Sequence, residues 1–171
     1  MNNNTNKLAS ILNTKSHPID APKYRSKCKS MLDRDGVLVL KNFLLKDSIR
    51  SILEEAKKQE GLAYYCVNEH NVYLDPNDNN YPKSHPRNRT VISSKGCITD
   101  DQVPKDSALR TLYDSDDFKE FLCSVLNEES LYKYDDNLSS INIHFAKTGQ
   151  ELGWHFDNSS FAITLLIQKP E

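Results

Sequence analysis

The chain reads as an α+β protein, with helices in its earlier part and a β part that begins around residue 139. Three observations carry that reading. Residues 48–60 repeat apolar side chains at helical spacing, with Ile49, Ile52, Leu53 and Ala56 on one face. Residues 116–126 do the same, Phe118, Phe121, Leu122 and Val125 forming an i, i+3, i+4, i+7 stripe. Ser139 to Ala146 instead alternates, with Ile141, Ile143 and Phe145 leaving one face and Ser140, Asn142, His144 and Ala146 the other. Helices followed by alternating strands make an α+β pattern.

Taken in order, the chain opens on an Asn-rich stretch, Met1 to Asn6, and residues 1–22 are expected to form a flexible tail ahead of one domain over 23–171. Tyr24 to Arg34 predicts a basic helix with Met31 and Leu32 inward, ended by Gly36. Val37 to Leu40 predicts a short buried strand. Asp47 and Ser48 can cap the next helix, Ser48 to Glu60, in which Glu54 can pair with Lys58 and which Gly61 stops. Leu62 to Leu74 is aromatic and β-leaning, one or two strands. Asp75 to Arg89 is dense in Asp, Asn and Pro and predicts a long loop, in which His85 to Arg89 could cover a site, with a plain solvated loop as the favoured alternative. Helices near Ser107 to Tyr113 and Asp116 to Leu126 follow, and Thr148-Gly149-Gln150 makes a turn. Phe161 to Ile167 is apolar on both faces, which predicts a central strand.

A chain of 171 residues and 19.6 kDa suffices for one domain with a sizeable core. Its mean hydropathy of −0.66 is polar for a compact fold. Residues 1–90 hold 15 Lys/Arg against 10 Asp/Glu and residues 91–171 hold 7 against 14. The basic half has no Lys/Arg run interleaved with aromatics, which argues against nucleic acid as a partner. Cys28, Cys66, Cys97 and Cys123 are scattered, with no CxxC pair, as expected of reduced and mostly buried thiols. No apolar run approaches a membrane span or a signal-peptide core, so no membrane partner and a cytoplasmic location are expected.

One short pattern carries chemistry. His155 and Asp157 stand two apart, and in extended backbone such side chains leave the same face, roughly 6–7 Å apart at the backbone. An imidazole nitrogen and a carboxylate oxygen can then converge on one cation, a donor pair suited to Fe(II), Mn(II) or Zn(II). Gly153 and Trp154 bring the chain in from a turn, and Trp154 and Phe156 are expected to pack. Spacing alone leaves a structural or surface pair as an equal alternative.

The stretch Gly149 to Asp157 followed by Ser160 to Gln168 resembles the metal-binding segment of the Fe(II)/2-oxoglutarate-dependent oxygenases. It is most similar to the branch of free amino-acid hydroxylases and halogenases. His85-Pro-Arg-Asn-Arg89, Ser93 to Pro104 and Ser107 to Asp114 match as well, so the resemblance covers roughly residues 30–171. It implies N-terminal helices packed on a double-stranded β-helix, or jelly roll, with His155 and Asp157 as metal ligands. It implies Fe(II) and 2-oxoglutarate as co-substrate, with ascorbate as a further candidate, and molecular oxygen and a small amino-acid-like molecule as reactants. The halogenases of this branch lack the carboxylate, leaving room for chloride on iron, so Asp157 points to hydroxylation of an unactivated C–H bond. Asn142 and His144 share a strand face before the site and are candidates to meet 2-oxoglutarate or substrate, as is Thr164. For His144 and Thr164 a hydrogen-bonded structural role stands as the alternative.

The family also carries a second histidine and a co-substrate arginine downstream of the HxD pair. Only 14 residues follow Asp157, and none is His or Arg. The jelly roll is therefore expected to be only partly present, in the N-terminal part of a longer enzyme. Phe161 to Ile167 would lack its covering sheet, so marginal stability or self-association through an exposed sheet edge is expected. Two other readings stay open: an inactive relic or non-catalytic jelly-roll metal- or ligand-binding protein, and a cupin-like protein holding another divalent metal.

Overall fold

The structure is a computed structural model that describes residues 7–136 and 138–169. It divides into two compact units. One comprises the described residues through Lys58 together with those of Thr99–Ile141; the other comprises Gln59–Ile98 and the described residues from Asn142 on.

The first unit is helical. Helix α1 spans Pro22–Asp35, with proline in its first turn, and ends at Gly36. Gly36 takes φ 67° and returns its N–H to the Leu32 carbonyl, the left-handed stop that glycine makes without strain. Cys28 is its buried residue, while Met31 and Leu32 are only half-buried. Helix α2, Lys46–Gln59, buries Ser48, Ile52 and Ala56, so the predicted face is the one that packs. Glu54 and Lys58 do not pair among the described residues; the ion pair on this helix joins Arg50 to Asp47.

Helix α3, Ala108–Tyr113, and helix α4, Asp116–Leu126, are both capped by serines. Ser107 accepts from the Leu109 N–H and Ser115 from the Phe118 N–H, satisfying donors that a helix start leaves open. Phe118, Phe121 and Val125 of α4 are buried. Helix α1 packs on α4, the Tyr24 ring stacking on Phe121 at 6.1 Å between centroids and the Arg25 guanidinium reaching Ser124. We expect Ser115→Ala to lower stability by about 1 kcal/mol, the usual worth of such a cap. A chemical melt of the pair of proteins checks this, and an unchanged midpoint would count against the cap.

Residues before α1 differ from the expected tail over 1–22. Leu8, Ile11, Leu12 and Ile19 are buried, and Leu12 bridges to Leu44. Polarity averaged over the segment hid these four apolar residues. The Met1–Asn6 part of that expectation lies outside the described residues.

The second unit is a three-stranded antiparallel sheet in the order β1–β2–β3, with β1 at Tyr64–His70, β2 at Val91–Ile98 and β3 at Ile143–Phe145. Register pairs His70 with Val91 and Asn68 with Ser93 on one side of β2, and His144 with Cys97 on the other. Gly96 lets the Tyr65 ring lie over the strand, since a Cβ there would come within 2.6 Å of that ring. Lys147 reaches across Tyr65 from beyond β3.

Helices and a small antiparallel sheet make the chain α+β, and two predicted strands are corrected. Val37 to Leu40 forms no strand, with Val37 and Val39 exposed. Phe161 to Ile167 forms none either, with Phe161, Ile163 and Leu166 exposed. Both have β-favouring composition, but no ladder partner reaches them among the described residues, and a strand is held by its partner. All four cysteines are free, yet only Cys28 is buried. No described helix is long and apolar enough to cross a membrane.

Candidate functional site

The site grows from strand β2 of the sheet unit. Directly opposed residues share a sheet face, so Asn68 and Ser93 project together, and His70 leaves on the same side two residues along. The chain after the Gly149 turn, which takes φ 84°, then runs back beside β2. Ser94 N–H donates to the Glu151 carbonyl at 2.7 Å, Glu151 N–H to Ser94 Oγ at 3.2 Å, and Gly153 N–H to Ser93 Oγ at 2.9 Å. Gly153 is needed at this approach: a Cβ on it would stand 2.6 Å from the Ile92 carbonyl oxygen, which is backbone and cannot swing aside. Gly153→Ala should therefore cost roughly 1–3 kcal/mol, as overpacking does. Denaturant titration checks it; wild-type stability would show that this close approach is absent.

Two residues further on, His155 and Asp157 converge. His155 Nε2 lies 3.3 Å from Asp157 Oδ1, with the imidazole largely buried and the carboxylate more exposed. His155 Nδ1 lies 2.7 Å from the Gly153 carbonyl oxygen, and a carbonyl only accepts, so Nδ1 carries the proton. In a neutral imidazole Nε2 then presents a lone pair to a carboxylate oxygen. Two acceptors at that distance need a positive charge between them, either a proton on Nε2 or a bound cation. Adjacent donors on one transition metal, each about 2.1 Å from it, stand ~3 Å apart. The geometry accommodates a metal through these two atoms.

Among the described residues, neither His144 nor Thr164 is joined to this pair by a hydrogen bond or ion pair. His144, opposite Cys97, stands four residues along β2 from Ser93, about 13 Å at strand rise. Partial burial, and then the charge of Lys95, push its pKa below the ordinary histidine value. Asn142 accepts at 3.5 Å from the Cys97 thiol, whose own pKa burial pushes up. Thr164 is exposed in the segment that forms no strand.

Other histidines are committed to local bonds. His17 is buried in the helical unit, bonded to the Tyr24 hydroxyl at 2.5 Å and the Lys41 carbonyl at 2.9 Å; burial raises the Tyr24 pKa. His85 stacks on Tyr81, and its Nδ1 accepts from the Arg87 N–H. Among the described residues no group of three or more His, Cys, Asp or Glu is placed to hold a metal.

Reasoning from spacing missed His70. Its ring packs edge-on against His155 with centroids 5.6 Å apart. A histidine at the end of an aromatic, β-leaning stretch was the available signal. The loop before β2 also comes close. Asn88 is buried and ties the loop together, its amide donating to the Asp78 and Tyr81 carbonyls. Arg87 sits over the Tyr73 ring at 4.6 Å, and Tyr73 stacks on Phe156. Tyr73 thus stands between Arg87 and Phe156, the residue between His155 and Asp157.

Searches of curated proteins and of solved structures returned no match. A family model described as halogenase D matches residues 21–171. That span takes in α1, the whole sheet and the His155–Asp157 pair, far more than half of the chain, which belongs to the halogenase D family.

Proposed function

We propose that the chain is part of a non-haem Fe(II)/2-oxoglutarate-dependent oxygenase that hydroxylates an unactivated C–H bond of a small, amino-acid-like molecule. Its sheet would supply opening strands of a double-stranded β-helix. The observation that carries the reading is His155 Nε2 facing the Asp157 carboxylate at 3.3 Å, with Nδ1 committed to the Gly153 carbonyl, so that one cation can take both atoms as donors. When bound, iron with 2-oxoglutarate and molecular oxygen would supply the oxidising power for C–H cleavage.

Residues of this chain would do the holding. Gly153 fixes the His155 tautomer through its carbonyl, which keeps Nε2 free to donate. Asp157 brings a negative oxygen donor and partly neutralises the metal. Two donors hold ferrous iron weakly, and no group of three candidate ligands comes together among the described residues. His144, held neutral near physiological pH, and Asn142 and Thr164 remain candidates to meet co-substrate or substrate.

The family's name speaks of halogenation, and Asp157 separates the two chemistries. A carboxylate from Asp157 would hold the metal in place of the chloride that a halogenase binds. Fe(II) binding by the wild-type protein should therefore be indifferent to chloride, whereas Asp157→Gly should bind Fe(II) more tightly as chloride is raised. Anaerobic Fe(II) titration in chloride and in sulfate measures this. Chloride dependence in the wild type would overturn the preference for hydroxylation.

One observation favours a second reading, a metal- or ligand-binding protein without turnover: the third donor is missing among the described residues. Anaerobic addition of Fe(II) and 2-oxoglutarate separates the two. A visible charge-transfer band that disappears in Asp157→Ala supports the oxygenase, and metal binding without the band supports the second reading.

A further inference from the structure

We propose that His70 and Ser93 are positioning residues, which hold His155 so that its Nε2 lone pair faces the metal position. The proposal rests on reading His155 as a metal ligand.

The argument follows the protons. His70 Nδ1 lies 2.9 Å from the Asn71 carbonyl oxygen, and since that oxygen only accepts, Nδ1 carries the proton. With a single ring proton, on Nδ1, the imidazole accepts at Nε2, where Ser93 Oγ stands 2.7 Å away, and the Ser93 hydroxyl donates to it. Having donated its one hydrogen, Ser93 Oγ accepts from the Gly153 N–H at 2.9 Å. Gly153 in turn accepts at its carbonyl from His155 Nδ1. With one proton on each ring, the donors and acceptors of this chain match throughout, from the Asn71 carbonyl through His70, Ser93 and Gly153 to His155.

Two further features make the chain stiff. Ser93 is buried, so water does not readily replace its hydroxyl. The His70 ring lies edge-on to His155, at an interplanar angle of 86°, and blocks rotation of the imidazole on that side. Ser93 sits on the middle strand of the sheet, opposite Asn68 of β1, which anchors the assembly to that ladder. His155, by contrast, lies in a segment assigned no strand and has no ladder of its own. Its orientation has to be imposed from β2, and Ser93 with His70 is the route.

The test uses the full 171-residue protein with Co(II) as the probe, titrated into the wild type and into His155→Ala, Ser93→Ala, His70→Ala and His70→Gln. Affinity should fall roughly 10–100-fold in Ser93→Ala and His70→Ala, the usual effect of removing a partner that orients a ligand. His70→Gln, whose side-chain carbonyl can still accept from the Ser93 hydroxyl, should stay close to the wild type. Wild-type affinity in Ser93→Ala and His70→Ala, with binding lost in His155→Ala, would overturn the proposal while leaving the ligand assignment standing. Wild-type affinity in His155→Ala would remove the assignment, and the proposal with it. Should the alanine variants fail to fold, long-range 1H–15N spectra of the metal-free wild type at mildly alkaline pH decide the matter. Protons on Nδ1 of both His70 and His155 support the chain; a proton on Nε2 of either overturns it.

Discussion

Alanine in place of Asp157, or of His155, should weaken binding of a divalent transition metal by ~100-fold or more, beyond the range for losing a group that merely orients a ligand. Each substitution removes one of two donors that stand 3.3 Å apart. The two losses should be unequal in kind. Without Asp157 the site loses a negative charge along with an oxygen donor, so the residual affinity should depend less on ionic strength than that of the wild type. Without His155 the exposed Asp157 remains as an ordinary surface carboxylate with little preference among cations. His144→Ala is the control: that residue lies about 13 Å along β2 from Ser93, and its loss should leave metal affinity unchanged. Calorimetry with Co(II) or anaerobic Fe(II) measures all three. Equal affinity in wild type and Asp157→Ala would dispose of the metal site.

The second large effect is on stability. Phe121 is 1% exposed, stacks on Tyr24 and Phe118, and anchors α4 in the helical unit. Truncation to alanine forfeits the buried ring and leaves a cavity that helices on either side cannot close, about 3–5 kcal/mol. For a chain of this size that is a fall of roughly 6–20 °C in Tm. Phe161→Ala supplies the contrast. Phe161 is 39% exposed in a segment without strand partners, and its loss should stay within about 0.5 kcal/mol. Comparable losses at the two positions would mean that residues 161–167 are buried after all.

Elements whose stability is local were legible in the sequence. Helices α1, α2, α3 and α4 carry their own hydrogen bonds, so apolar periodicity and Gly36 sufficed to place them within a few residues, although Asp47 and Ser48, expected to cap α2, lie inside it. Strands were less legible because a strand is stabilised by what lies beside it. Val37 to Leu40 and Phe161 to Ile167 have β-favouring composition and no partner among the described residues, and neither is a strand. Strand β2 is the opposite case. Its run Ser93-Ser94-Lys95-Gly96 has little β character, yet β1 and β3 pair with it on both sides, and the Tyr65 ring fills the space over Gly96.

The candidate site divides in the same way. Sequence by itself determined the donor types and their shared face, because side chains two apart in extended backbone leave the same side whatever surrounds them. Only the tertiary structure decided which nitrogen of His155 is free, since that depends on the Gly153 carbonyl, and on Ser93 and His70 far earlier in the chain. Proton placement on an imidazole is set by its partners in space, and residues more than sixty positions apart become partners only when the sheet forms.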